Sequence, residues 1–516
     1  MRTNLILFGC LFLTFTRCQK QDGFNLGNNF VSIAPDESLE SIIKKAANLA
    51  PSENQLAWQE MEFTAFVHFT INTFTDREWG DGKEDPALFN PTAFDAGQWA
   101  MTCRDAGMKM IIVTAKHHDG FCLWPSKLTD HSVESSPWRE GKGDIVREVA
   151  DACREYGLKF GVYLSPWDRH EASYGDSPHY NENFKNQLRE LLTWYGRVDE
   201  VWFDGACGEG PNGKRQVYDW PAYYEVIREL QPNAVIAIMG PDVRWVGTES
   251  GYGRETEWSV IPVTVRKAHP ADGADGEMSE KGFVPGDRMQ KDLGSRSKLR
   301  GAQALAWYPS EVDVSIRPGW FYHASQDGKV KSPDKLLDIY FSSVGRNSLL
   351  LLNIPPDRRG LLHENDVASL MGLRKRLDDI FTVNLLASCS VKASSRAGSH
   401  APEDGIDGNP VTYWMPGTGE ETPSIEFHLS GPESFNVCCL QECIRIGQRI
   451  EKFELQAWQD TGWKTIARGT TVGYKRLLRF DEINTSRVRL RILESRCEPT
   501  LSNISLHIMK PAGGPQ

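Results

Sequence analysis

VWFDGA, residues 201–206, is an apolar run that stops on an acid and a glycine. Residues 198–203 read as a strand buried on both faces, with Asp204 at its C-terminal end. The same grammar recurs on either side. Residues 63–69 (FTAFVHF) read as a buried strand with His68 near its end. Residues 95–107 read as a helix, opened by an aspartate cap and stopped by glycine. Residues 109–115 (KMIIVTA) form the next strand and lead into His117 and His118. A helix over 144–156 ends at Gly157, a strand over 158–164 (LKFGVYL) carries Tyr163, and a helix over 183–195 ends at Gly196. Beyond VWFDGA come a helix over 221–230, with proline in its first turn, and a fifth strand over 234–239 (AVIAIM). Residues 240–335 read as a long, loop-rich region. A helix near 333–343 and a last strand over 348–354 (SLLLLNI) complete the series.

Alternating strands and helices with near-continuous apolar strands specify a parallel sheet covered on both faces. Such a sheet is either open and doubly wound or closed. No glycine-rich phosphate loop follows the first strand. Polar groups stand at the C-terminal ends of most strands, and only a barrel brings all those ends to one site. The expected fold is therefore α/β, a (β/α)8-like TIM barrel over residues 50–373. Past residue 384 the pattern changes to short β-rich runs at 424–429, 435–442, 453–458, 463–468 and 487–493, separated by turn residues. Residues 384–512 read as a β-sandwich, joined to the barrel through 374–381. That sandwich either binds a ligand or braces the barrel, with Trp414 and Trp458 as its candidate exposed aromatics.

Arg2 followed by the apolar run 5–15 reads as a secretion signal within residues 1–20, too short to span a bilayer. Cys18 stands where a bacterial lipoprotein carries its acylated cysteine, although Arg17 occupies the place of the usual small residue. Export to the periplasm or cell surface is expected. No other stretch is apolar enough for a transmembrane segment. The net charge of −11 excludes the basic footprint of a nucleic-acid binder and suits a neutral ligand. The chain has 16 Trp, whose flat faces match the C–H faces of sugars, and 11 Cys whose spacing gives neither a disulfide framework nor a CxxC zinc pair.

Asp204 at a barrel mouth beside Trp202 suggests carboxylate catalysis, and glycoside hydrolysis requires a second carboxyl. RWVGTESGYGRETEWS, residues 244–259, offers Glu249, Glu255 and Glu257, and the chemistry alone does not choose among them. KHHDGF, residues 116–121, places two imidazoles at a strand end. Metal ligation usually needs wider spacing, so neutral donors to sugar hydroxyls are preferred, with no metal and no cofactor.

VWFDGA, KMIIVTAKHHDGF, FVHF, REWG (77–80), GVYLSPWD (161–168) and LLLLNIPP (349–356) together resemble glycoside hydrolase family 29, the retaining α-L-fucosidases. The resemblance spans about residues 55–370. WVGTESGYGRETEWSV and EVDVSIRPGWFYH (311–323) are similar to the subfamily that cleaves α-1,3- and α-1,4-linked fucose from Lewis-type oligosaccharides. Residues 384–510 resemble its appended discoidin-like sandwich. The resemblance implies Asp204 as nucleophile and Glu249 as acid/base, with Glu255 and Glu257 as alternatives. It implies sugar contacts from His68, Glu78, Trp79, His117, His118, Tyr163, Trp202, Arg254 and Trp320. Broader linkage specificity, α-L-galactosidase activity and non-catalytic glycan binding are the competing functions.

Overall fold

The computed structural model describes residues 27–265, 283–284 and 291–510; the expected signal at 1–20, with Cys18, lies outside them. Eight parallel strands line the barrel: β1 (Phe63–Val67), β2 (Met110–Lys116), β3 (Lys159–Leu164), β4 (Glu200–Phe203), β5 (Val235–Ile238), β6 (Arg244–Trp245), β7 (Ser310–Ser315) and β8 (Ser348–Asn353). They follow the order β5-β4-β3-β2-β1-β8-β7-β6, and a parallel bridge between Ala237 and Val243 joins the two edges. Outside them lie α1 (Ala96–Asp105), α2 (Ile145–Tyr156), α3 (Ser177–Trp194), α4 (Trp220–Leu230), α5 (Pro333–Ser343) and α6 (Glu364–Phe381). Local chemistry fixes these ends. Asp95 and Asp144 cap α1 and α2 by accepting from Gln98 and Arg147 backbone N–H groups at 3.0 and 2.9 Å. Gly157, at φ 72°, closes α2 in the left-handed conformation.

The loop-rich reading of one region is corrected. Residues 240–335 hold β6, β7 and the described strands Val260–Val265, Phe283–Val284 and Ala304–Trp307 of an antiparallel sheet, whose edge is Phe30–Ser32 from the start of the described chain. No helix separates β5 from β6. The chain instead turns sharply, with Ile238 at φ 67°, and a Cβ on Gly240 would lie 2.3 Å from the Ile236 carbonyl oxygen. Residues 374–381, expected to join the sandwich to the barrel, are helical. They complete α6, whose Leu370, Leu373 and Leu377 are buried against the barrel.

The C-terminal sheet is antiparallel. Two long strands, Ser424–Glu442 and Arg476–Ser495, bend through bulges and pair along most of their length. They enclose a separate core that includes Phe427, Phe435, Phe453 and Leu490. Trp414, expected at the surface, lies within this core at 0% exposure and gives its indole N–H to the Ser395 carbonyl. Trp458 is half-buried. The sheet meets the barrel where its strands begin. Glu62, just before β1, accepts from Tyr340, Tyr474 and Lys475. Asn347, just before β8, accepts from the Tyr474 N–H at 2.7 Å, and the Arg496 guanidinium stacks 3.4 Å from the Trp258 ring centroid. Asp204 and the histidines stand at the opposite end, where strands finish.

Candidate active site

Successive side chains of a strand alternate between faces, so the inward positions of the eight strands meet inside the barrel. Phe66, Ile112, Tyr163, Trp202, Ala237 and Leu351 form its inner core. Above them, the strand ends bring His68, His117, His118, Tyr163 and Asp204 together. Phe66 lies 4.5 Å from the His68 ring, His68 5.6 Å from His117, His117 4.2 Å from His118, and Tyr163 5.1 Å from Trp202 between ring centroids.

Asp204 Oδ1 accepts the Ala206 N–H at 2.6 Å, which aims the carboxyl upward from the turn after β4. Oδ2 accepts the Tyr163 hydroxyl at 3.3 Å and faces His118 Nε2 at 3.8 Å. The last distance is too long for a hydrogen bond and leaves both groups free for a ligand hydroxyl.

The imidazoles are neutral. Burial pulls His68 down to about 3, and burial with neighbouring imidazoles pulls His117 well below its usual range. For His118, burial outweighs the opposing pull of Asp204, so its pKa also falls. Their tautomers follow from the partners. His68 Nδ1 donates to Asn353 Oδ1 at 2.9 Å, while Asn353 Nδ2 donates to Ser315 and Trp320. His118 Nδ1 donates to Ser165 Oγ at 2.7 Å, because that hydroxyl is itself donated to the Trp167 carbonyl. Both histidines therefore turn an Nε2 lone pair toward the site and are acceptors there, not the donors that the sequence suggested. His117 Nδ1 is buried without a hydrogen-bond partner among the described residues.

The walls are aromatic. Trp79, 57% exposed, stands edge-on to His118 and to Trp167 at 5.6 and 5.7 Å. Trp320 lies 5.2 Å from His68 and donates its indole N–H to Glu249 Oε2 at 3.1 Å. Glu78 accepts the backbone N–H groups of Trp320 and Phe321 and contacts His323. Trp202 is the floor, with its indole N–H committed to Glu311 at 2.7 Å.

Of the three acids after β6, only Glu249 reaches this cluster. Glu257 is 1% exposed, beside the start of β6, where it pairs with Arg244 and Arg254. Arg254, expected at the sugar, has its Nη1 on Glu257 Oε2 at 3.2 Å. Glu255 is 80% exposed at its side chain, near Arg346.

Several functional candidates escaped the sequence. Asn353 obeys the same rule as Asp204, a polar residue closing an apolar strand, and was recoverable. Trp167 was recoverable from GVYLSPWD as a second wall. Glu311 and Asp313 were not, because SEVDVS reverses the usual pattern and points its acids inward. Each inner acid is held by an indole: Trp58 donates to Glu200 at 2.8 Å, Trp202 to Glu311, and Trp245 to Asp313 at 2.8 Å. Burial pushes Glu200 up to about 8 and Asp313 up to about 7, with Glu249 and Asp204 adding to the rise at Asp313. Burial, and then Glu200, pushes Glu311 well above the usual carboxylate range. The described residues hold no cluster of three or more metal-ligating side chains.

The α-L-fucosidase family profile matches residues 46–378, and the F5/8 type C domain profile matches residues 390–505. An α-L-fucosidase 1 from Arabidopsis thaliana is 42% identical over 476 residues, covering 90% of this chain and 88% of that one. A Bacteroides ovatus crystal structure, described as a candidate α-L-fucosidase, superposes at TM-score 0.83 with 50% identity, covering 95% of this chain and 79% of that one. A Ruminococcus gnavus GH29 fucosidase in complex with fucose gives TM-score 0.79 at 30% identity, covering 95% and 98%.

Proposed function

This chain belongs to the α-L-fucosidases of glycoside hydrolase family 29, and from that premise we propose a retaining exo-enzyme that removes α-1,3- or α-1,4-linked fucose from Lewis-type glycans. The observation that carries the reading is the pairing of Asp204, open beside Tyr163 and His118, with Glu249, brought to the same cluster by the Trp320 indole. Asp204 attacks the anomeric carbon while Glu249 gives a proton to the departing oxygen. Glu249 then takes a proton from water, which releases fucose from the covalent ester with retained configuration. The Nε2 lone pairs of His68 and His118 accept sugar hydroxyls. Trp79, Trp167 and Trp320 exclude water and pack on the apolar faces, as the fucose bound by the Ruminococcus gnavus relative would require here. The apolar leader supports a secreted enzyme at the periplasm or cell surface.

Fucose release from Lewis a or Lewis x trisaccharide, beside 2′-fucosyl-lactose, tests this reading with wild type and Glu249→Gln. Release from the Lewis sugars only, lost in the variant, is the expected result. Equal release from 2′-fucosyl-lactose would refute the linkage assignment, and an active variant would remove Glu249 as acid/base. Release of L-galactose in preference to L-fucose would reassign the glycone. No release from any glycoside, with glycan binding retained, would leave a lectin on a hydrolase fold.

A further inference from the structure

His323 stands on the segment between β7 and α5, at the rim of the site. Its Nε2 lies 2.6 Å from Glu78 Oε1 and its Nδ1 2.8 Å from Asp76 Oδ1. Carboxylate oxygens only accept, so both ring nitrogens must carry hydrogen, and an imidazole that carries two is an imidazolium. Glu78 in turn accepts the Trp320 backbone N–H at 2.8 Å through Oε2, and the Trp320 indole donates to Glu249 at 3.1 Å. One line of contacts thus runs Asp76, His323, Glu78, Trp320, Glu249.

We propose that His323 is a positioning residue, a protonated latch that holds Glu78 and the Trp320 wall at the sugar site and lets them go when its proton leaves. The inference rests on the reading of Trp320 and Glu249 as parts of a fucose site. A neutral ring has one N–H for two carboxylates. It must present a lone pair to one of them, and the repelled partner moves off. Asp76 and Glu78 are the charged groups that face the ring. Charges on neighbouring elements are engaged elsewhere: Arg317 with Asp327 and Asp366, His363 with Asp327, and Arg77 with Asp81 and Glu84. Arg358 lines the cavity that Asp76 borders. Burial lowers the His323 pKa, but the hydrogen bonds to Glu78 and Asp76 outweigh it and raise it above the usual 6.5. For a raised pKa, the latch is fully set below the ordinary histidine value and is lost as pH rises through the raised one.

The test is L-fucose affinity of the full-length protein by calorimetry from about pH 5.5 to about pH 9, together with ¹⁵N NMR of the imidazoles. Wild type should lose about tenfold in affinity across one titration, the scale of a charge-assisted hydrogen bond. His323→Gln should bind weakly at every pH, with a flat profile. Asp76→Asn, at a site whose side chain is 59% exposed, should fold normally and move the titration to lower pH, which a purely structural role for His323 would not do. Affinity that ignores pH in wild type, or a titration that persists in His323→Gln, would overturn the latch. A His323 ring that is neutral below pH 7 by NMR would overturn the latch and leave the fucosidase reading intact. Failure of wild type to bind L-fucose at all would overturn both.

Discussion

Glu249 and Glu257 leave the same loop and finish at opposite ends of the barrel. Glu249 is exposed and takes one indole N–H. Glu257 is 1% exposed and takes two guanidinium groups, while its backbone carbonyl accepts from Asn347 and Gln448. The end where strands begin is closed by the sandwich, and its charges are largely saturated by fixed partners. The end where strands finish leaves lone pairs and a carboxyl edge facing outward. Burial alone therefore does not mark function in this molecule; unspent hydrogen-bonding capacity does. The contrast is broken most directly by one substitution at each end. If the proposed double displacement holds, Asp204→Ala should lose roughly 10³-fold or more in kcat, because it removes the proposed nucleophile, with its melting temperature little changed. Glu257→Gln should do the reverse. It strands Arg244, which is fully buried, and should cost about 3 kcal/mol while the protein that remains folded keeps its kcat/KM. Measured on purified variants by calorimetry and aryl-fucoside turnover, a Glu257→Gln protein that is stable but inactive would dissolve the distinction.

Between the two ends lies the inner carboxyl column of Glu200, Glu311 and Asp313. Its pKa values are raised, so the folded state favours the protonated forms. The sign follows: the stability these groups lend is complete below the ordinary carboxylate range and is lost as pH climbs through about 7 and about 8. Each unit of displacement is worth at most about 1.4 kcal/mol. The melting temperature should therefore fall between about pH 5 and about pH 8.5. Glu311→Gln should flatten that fall, because a carboxamide gives Glu200 a permanent donor and still accepts from Trp202. An unchanged slope in the variant would mean that the titrating groups lie elsewhere.

The column also explains what the sequence conveyed and what it withheld. Strands such as VWF and LLLL were legible because their inward and outward positions are both apolar. β7 was not, because Glu311 and Asp313 occupy inward positions, and a polar alternation reads as surface. β6 was too short to carry a pattern. The site residues at strand ends were legible from position alone, and the resemblance supplied their roles. Arg254 was placed at the sugar by resemblance alone, because a loop gives no face to a side chain, and that its partner Glu257 also holds the buried Arg244 is visible only in three dimensions. His323 was invisible for a related reason: its partners Asp76 and Glu78 lie at the far end of the barrel sequence, next to β1.

The smallest effect should come from the sandwich, and it sharpens the comparison by asking whether that domain has an open end of its own. Trp458 was the remaining aromatic candidate for glycan binding. A sugar needs a free ring face, but Trp458 packs edge-on against Trp463 at 5.4 Å and carries the Arg487 guanidinium 4.4 Å from its centroid. Arg487 also reaches Trp463 at 5.2 Å, and Arg489 covers that ring at 4.4 Å. These rings are spent on cations, as the acids near Asn347 are spent on the barrel. Trp458→Ala should therefore lose only the stacking, about 1 kcal/mol at a half-exposed site, with Lewis-trisaccharide turnover and affinity unchanged. A loss of glycan affinity at constant kcat would show that the cation moves aside for a ligand, and would make the sandwich a binding module rather than a brace.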